Sequence, residues 1–131
     1  MPDILAAQAP LRLPTADRTL QRIFATLRTD NAWTLEQQAS ICQIPAPPFK
    51  EQARATAFMQ RLAAFGIDQL RTDGVGNVIG VRRGTGRGPL VVLSAHLDTV
   101  FPEGTDVTVR RDSTGGRTIL RGPGIGDDCR G

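Results

Sequence analysis

His96 and Asp98, two residues apart in Ser94-Ala95-His96-Leu97-Asp98-Thr99-Val100, are the pair in this chain best suited to chemistry. In extended backbone, residues two apart project from the same face. The Asp98 carboxylate can therefore approach the imidazole and fix its tautomer, while the other ring nitrogen takes a metal. A second acidic pair, Asp127 and Asp128, follows the glycine-rich stretch Gly122-Pro123-Gly124-Ile125-Gly126. A carboxylate has two oxygens and can span two cations roughly 3.5–4 Å apart, as in paired-metal hydrolytic sites. The three glycines leave room for the backbone to fold tightly behind such a group. His96, Asp98 and Asp127 together have the form of half a two-metal site. Blander readings stay open beside it. The single histidine also suits a purely structural role, and the two aspartates also suit a solvated surface turn.

Other chemistries fit less well. A phosphate cradle at residues 122–126 would need amide donors, but Pro123 removes one, no Gly-Lys-Ser/Thr follows, and two aspartates would repel the anion. Pro45-Ala46-Pro47-Pro48 is short for a polyproline ligand and reads as a stiff connector. Cys129, next to the acidic pair, would be an isolated thiol in an oxygen and imidazole site, so it reads as an unreactive neighbour.

The elements that must position these residues begin after a leader over residues 1–14, which contains Pro2, Pro10 and Pro14. Thr15 or Asp17 can cap a first helix, in which Leu20, Ile23, Phe24 and Leu27 recur at helical spacing. A second helix, Thr34 to Cys42, presents Leu35, Ala39 and Cys42, and the proline run ends it. A third helix spans about Lys50 to Phe65, with Ala55, Phe58, Met59, Leu62 and Phe65 on one side and Gly66 as its stop. Short β segments follow at Gln69 to Thr72, Asn77 to Arg82 and Leu90 to Ala95. Val107 to Arg111 and Arg117 to Arg121 form a further pair joined through Ser113-Thr114-Gly115-Gly116. Helices followed by a mixed sheet make an α/β fold, whose ligands bind at the carboxyl ends of strands.

The chain has 131 residues, the size of one small domain, with 40% hydrophobic and 22% charged residues. No apolar run reaches the roughly 20 residues of a membrane helix, and the start lacks signal-peptide order, so a cytoplasmic protein without a membrane partner is expected. The two cysteines lie too far apart to suggest a disulfide framework or a cysteine zinc cluster. A net charge of +3 could suit nucleic acid. The arginines, however, are dispersed beside turn glycines with no aromatic residues interleaved, so no nucleic-acid partner is expected.

The two motifs around His96 and Asp127 resemble the leading metal motifs of the M-twenty peptidase family, whose members include peptidase T, glutamate carboxypeptidase and acetylornithine deacetylase. Ile44-Pro45-Ala46-Pro47-Pro48-Phe49-Lys50-Glu51 and Asp73-Gly74-Val75-Gly76-Asn77-Val78 resemble the helix connector and first hairpin of its peptidase branch. Four segments in matching order, within residues 15–131, carry the likeness. It implies the amino-terminal portion of a two-zinc exopeptidase catalytic domain, with His96 on one zinc and Asp127 bridging both. Asp98 would be the catalytic carboxylate that steadies His96 or the surroundings of the reacting water. Two Zn2+ per complete site are implied, with Co2+ or Mn2+ as substitutes, and a peptide or N-acyl amino-acid substrate. A cis peptide between Asp127 and Asp128 is also implied. Cys129 departs from the family, where lysine is frequent. The family's paired glutamates, further acidic ligand, distal histidine and dimerisation domain would lie beyond Gly131. A homodimer is thus expected of the full-length protein, and no hydrolysis by these 131 residues alone. The alternatives are a non-catalytic interaction module on a peptidase-derived scaffold and, further off, a basic nucleic-acid-binding domain.

Overall fold

The computed structural model describes residues 16–127. Helices α1 (Arg18–Thr29), α2 (Asn31–Cys42) and α3 (Gln52–Ala64) precede strands β1 (Asp68–Thr72), β2 (Val78–Val81), β3 (Arg110–Thr114) and β4 (Arg117–Arg121). The leader at residues 1–14, the alternative cap Thr15, Asp128, Cys129 and the Asp127–Asp128 peptide bond lie outside the described residues. By its contacts the chain divides into two compact units, Met1–Trp33 and Thr34–Gly131.

In the first unit, the Asp17 carboxylate accepts from the amides of Thr19 (2.7 Å) and Leu20 (3.2 Å). It thereby satisfies two of the donors that a helix start leaves over. The α1 apolar stripe of Ile23, Phe24 and Leu27 remains exposed.

The second unit is built on α2, the proline connector and α3. Ala39 and Cys42 of α2, Ala46 of the connector and Ala55 of α3 are its buried apolar residues, joined by Arg54 and Thr99. Arg61 clasps the two helices, donating from Nε to Gln37 Oε1 (3.3 Å) and from Nη2 to Ser40 Oγ (3.0 Å). Phe49, at the connector's end, takes φ +66 and is 91% exposed. That backbone is strained for a non-glycine residue.

The order of helices then strands follows the sequence pattern and is compatible with an α/β fold, but among the described residues the strands form no mixed sheet. Strands β1 and β2 pair antiparallel, as do β3 and β4, in two separate two-stranded sheets. The β1–β2 register slips between Asp68 and Arg71, around Gln69 at φ +50. This hairpin packs on α3, where a Cβ built on Gly80 would lie 3.7 Å from Leu62 Cδ1, and on the hairpin's own side that Cβ would come 2.6 Å from Ile67 Cγ2 and 2.9 Å from Leu70 Cδ2. The β3–β4 hairpin turns through Gly115 and Gly116 alone, both at positive φ, so Ser113 and Thr114 belong to the strand and not to the turn. Such a two-residue turn matches the twist of the strands it joins.

The expected strand Leu90 to Ala95 is corrected by the structure. These residues belong to no ladder, and Leu90, Val91, Val92 and Leu93 are all exposed. Their continuous apolar pattern is that of a strand covered on both faces. Each described hairpin pairs only within itself, so among the described residues nothing supplies that cover. No helix of the described residues is long and apolar enough to cross a membrane.

Candidate functional site

Two tethers fix the segment that carries His96 and Asp98. The Thr99 amide and hydroxyl both donate to the Ala46 carbonyl, at 2.8 and 3.2 Å, and Arg54 Nη1 donates to the Leu97 carbonyl at 3.0 Å. Between these anchors the imidazole meets the aspartate. His96 Nδ1 lies 2.9 Å from the Asp98 backbone oxygen and 3.1 Å from Asp98 Oδ1. A backbone carbonyl and a carboxylate oxygen are both acceptors, so Nδ1 carries the proton, and in neutral imidazole the ring lone pair sits on Nε2. Both side chains are 44% exposed. At that exposure even a charged pair would contribute only about 0.2–1 kcal/mol, so this contact orients the ring more than it stabilises the fold.

Asp127 ends the glycine-rich turn. Within the turn, Ile125 N donates to Gly122 O (3.3 Å) and Asp127 N to Gly124 O (3.1 Å). From α2, Gln38 Nε2 donates to Ile125 O (2.7 Å) and the Cys42 thiol to Pro123 O (3.2 Å). A Cβ on Gly124 would lie 3.5 Å from the Phe101 ring and 3.6 Å from Thr99 Cγ2. The turn therefore rests on the residues that directly follow the His96–Asp98 pair. Gly122 passes close to the segment before β3, where a Cβ would come 3.0 Å from Thr108 O. Both motifs are thus fastened to the same base of α2, connector and α3, and the exposed Asp127 sits at the end of the turn.

The structure brings His96 and Asp98 into contact and packs the Asp127 turn beside their segment. Among the described residues no group of three or more His, Cys, Asp or Glu gathers as a metal cage. The donor types nevertheless suit a borderline cation, because a tautomer-fixed imidazole and a carboxylate are common zinc ligands.

Sequence reasoning missed Arg54, which is 5% exposed. Its guanidinium donates to Ile44 O from Nε (3.1 Å) and Nη2 (2.6 Å), to Leu97 O from Nη1, and at 3.5 Å to Cys42 O. A signal existed. Arg54 stands four and eight residues before Phe58 and Leu62, in line with the inward stripe of α3.

No family model matches the chain. It is similar to two archaeal proteins, each named "Putative [LysW]-lysine/[LysW]-ornithine hydrolase". With that of Pyrococcus abyssi (strain GE5 / Orsay) it shares 38% identity over 77 residues, 59% of this chain and 22% of the relative. With that of Pyrococcus furiosus it shares 38% over 60 residues, 46% of this chain and 18% of the relative. The chain spans about a fifth of the length of these curated relatives.

Proposed function

We propose that this chain carries the leading metal motifs of a metal-dependent hydrolase of peptide or N-acyl amino-acid amide bonds, of the M-twenty kind that its motifs resemble. The observation that carries the reading is the His96 ring held by Asp98 through Nδ1, a carboxylate–histidine arrangement typical of metal ligation. The relatives named as hydrolases favour it over an interaction module.

In this reading His96, through Nε2, and the Asp127 carboxylate are the residues that would hold the metal. A bound pair of zinc ions would supply Lewis acidity toward the scissile carbonyl and a lowered pKa for water. Asp98 keeps the proton on Nδ1 and the ring in its orientation. The Gly122–Asp127 turn, held by Gln38 and Cys42, positions the Asp127 carboxylate that would serve as a ligand. Among the described residues, these are two candidate ligands, fewer than the three or four that zinc normally takes from protein, so tight zinc binding by them alone is not expected.

The test uses the product of the complete reading frame, stripped with chelator and reloaded with zinc, cobalt or manganese. It is assayed on dipeptides and N-acyl amino acids, including lysine and ornithine derivatives. Activity should vanish on stripping and return with metal, and Asp127→Ala should abolish it. Asp98→Ala should cost about 10–100-fold in kcat while sparing most of the bound metal. Undiminished turnover after exhaustive metal removal would refute the reading.

A further inference from the structure

The Arg54 guanidinium is buried, yet its partners are three backbone carbonyls, and among the described residues no carboxylate pairs with it. Burying a charge is costly unless it is well bonded, and an apolar side chain of similar size often serves stability as well or better. Part of the compensation is plain. Cys42 is the last residue of α2, and a cation at a helix C-terminus meets the negative end of the helix dipole. The bonds to Ile44, just beyond that end, belong to the same task.

The bond to Leu97 does something else. Residues 90–95 lie in no ladder, so the segment reaches His96 without any sheet to hold it. Its tethers to the base are Arg54 on the Leu97 carbonyl and Ala46 on Thr99. The Leu97 carbonyl belongs to the peptide that joins Leu97 to Asp98. Torsion about the Leu97 Cα–C bond turns this carbonyl and Asp98 together, and would carry both the Asp98 backbone oxygen and Oδ1 away from His96 Nδ1. Thr99 fixes only the far side of Asp98.

We propose that Arg54 is a positioning residue of the candidate site, its guanidinium fixing the Leu97 carbonyl and, through that peptide, holding Asp98 against His96. Its meaning for catalysis rests on the hydrolase reading, but the geometry it controls is measurable without metal or turnover. A planar fork reaching two chain segments at once is a task for arginine and not for lysine.

His96 is the only histidine, so its ring nitrogens can be read in the 131-residue chain without ambiguity. In the unaltered chain, above the pH at which the ring loses its charge, 15N spectra should show one protonated nitrogen, Nδ1, and one bare nitrogen. Arg54→Met and Arg54→Lys should move both signals toward a tautomer average, with the lysine variant keeping its helix content by circular dichroism. Arg61→Met loosens the α2–α3 clasp without touching Leu97, and should leave the His96 signals in place. Should both Arg54 variants fail to fold, the unaltered protein still decides. Arg54 guanidinium protons should then exchange with water more slowly than those of exposed Arg18, and hydrogen-bond scalar coupling should link Arg54 to the Leu97 carbonyl. Unchanged His96 signals in a folded Arg54 variant, an equal change in Arg61→Met, or fast exchange without coupling would each overturn the proposal. Failure of the metal-removal assay leaves these signals unaffected, so the two ideas fall separately.

Discussion

The three glycines that precede Asp127 look alike in sequence but should respond differently to alanine. Gly126 has no heavy atom within 4 Å of a built Cβ and no positive φ. Alanine there should be neutral or stabilise by up to about 1 kcal/mol, through the lower entropy of the unfolded chain. Gly124 sits at φ +77, with its nearest contacts at ordinary van der Waals distance. The left-handed conformation costs an alanine about 1–2 kcal/mol, and the unfolded-state gain offsets part of that, leaving a net loss near 1 kcal/mol. Gly122 is limited by space. Its Cβ would lie 3.0 Å from the Thr108 carbonyl oxygen and 3.4 Å from Val109 Cα, backbone atoms that cannot rotate away. The neighbouring Val109 amide is also held by Gln43 Oε1 at 3.1 Å. Overpacking of this kind costs about 1–3 kcal/mol, and Gly122→Ala should be the worst of the three. Urea unfolding followed by helical circular dichroism gives the ranking directly, provided the slope stays constant. Gly126→Ala losing more than about 1 kcal/mol, or Gly122→Ala within about 0.5 kcal/mol of the parent, would show that the turn is not held as described.

Two further outcomes follow from side-chain geometry. The Asn77 side-chain amide on Asp73 Oδ2 (2.8 Å), with the amides of Asn77 and Val75 on Oδ1, holds the Asp73 carboxyl below its usual 3.8. A lowered folded pKa means that the turn between β1 and β2 gains stability above about 3.8 and loses it as the pH falls through the folded value; an Asp73 13C titration with its midpoint at or above 3.8 would contradict this. Asp98→Ala removes the carboxylate acceptor at His96 Nδ1 but keeps the backbone oxygen at 2.9 Å. The Nδ1–H tautomer should therefore survive that substitution in the 15N spectrum, and its loss would show that the carboxylate alone holds the proton.

Local periodicity made much of the fold legible. The cap at Asp17, the α2 face of Ala39 and Cys42 and the existence of both hairpins follow from spacing and turn residues, because those signals act within a few positions, whereas the expected strand Val107 to Arg111 is displaced to Arg110–Thr114. The contact between His96 and Asp98 is likewise a two-residue matter. What escaped depends on partners far away in sequence. A buried strand and a bare extended run have the same residue pattern, so Leu90 to Ala95 could not reveal whether neighbours lie beside them. The bonds from Gln38 and Cys42 to the turn at Pro123 and Ile125 cross more than eighty positions. Arg54 was hidden by its type, since a charged residue on a helix ordinarily faces water.

The bare run from Gly88 to Ala95 carries no charge, and its side chains are open on alternate sides. Folding of one chain is independent of concentration, whereas pairing two such runs from different chains is second order. Raising the amount of protein therefore favours strand addition between copies over the isolated molecule. Arg87 and Pro89 guard only the amino-terminal end, by charge and by a missing amide donor, and leave the stretch toward His96 open. An exposed run of this kind makes concentration, and not only the stability of one molecule, a variable of its solution behaviour.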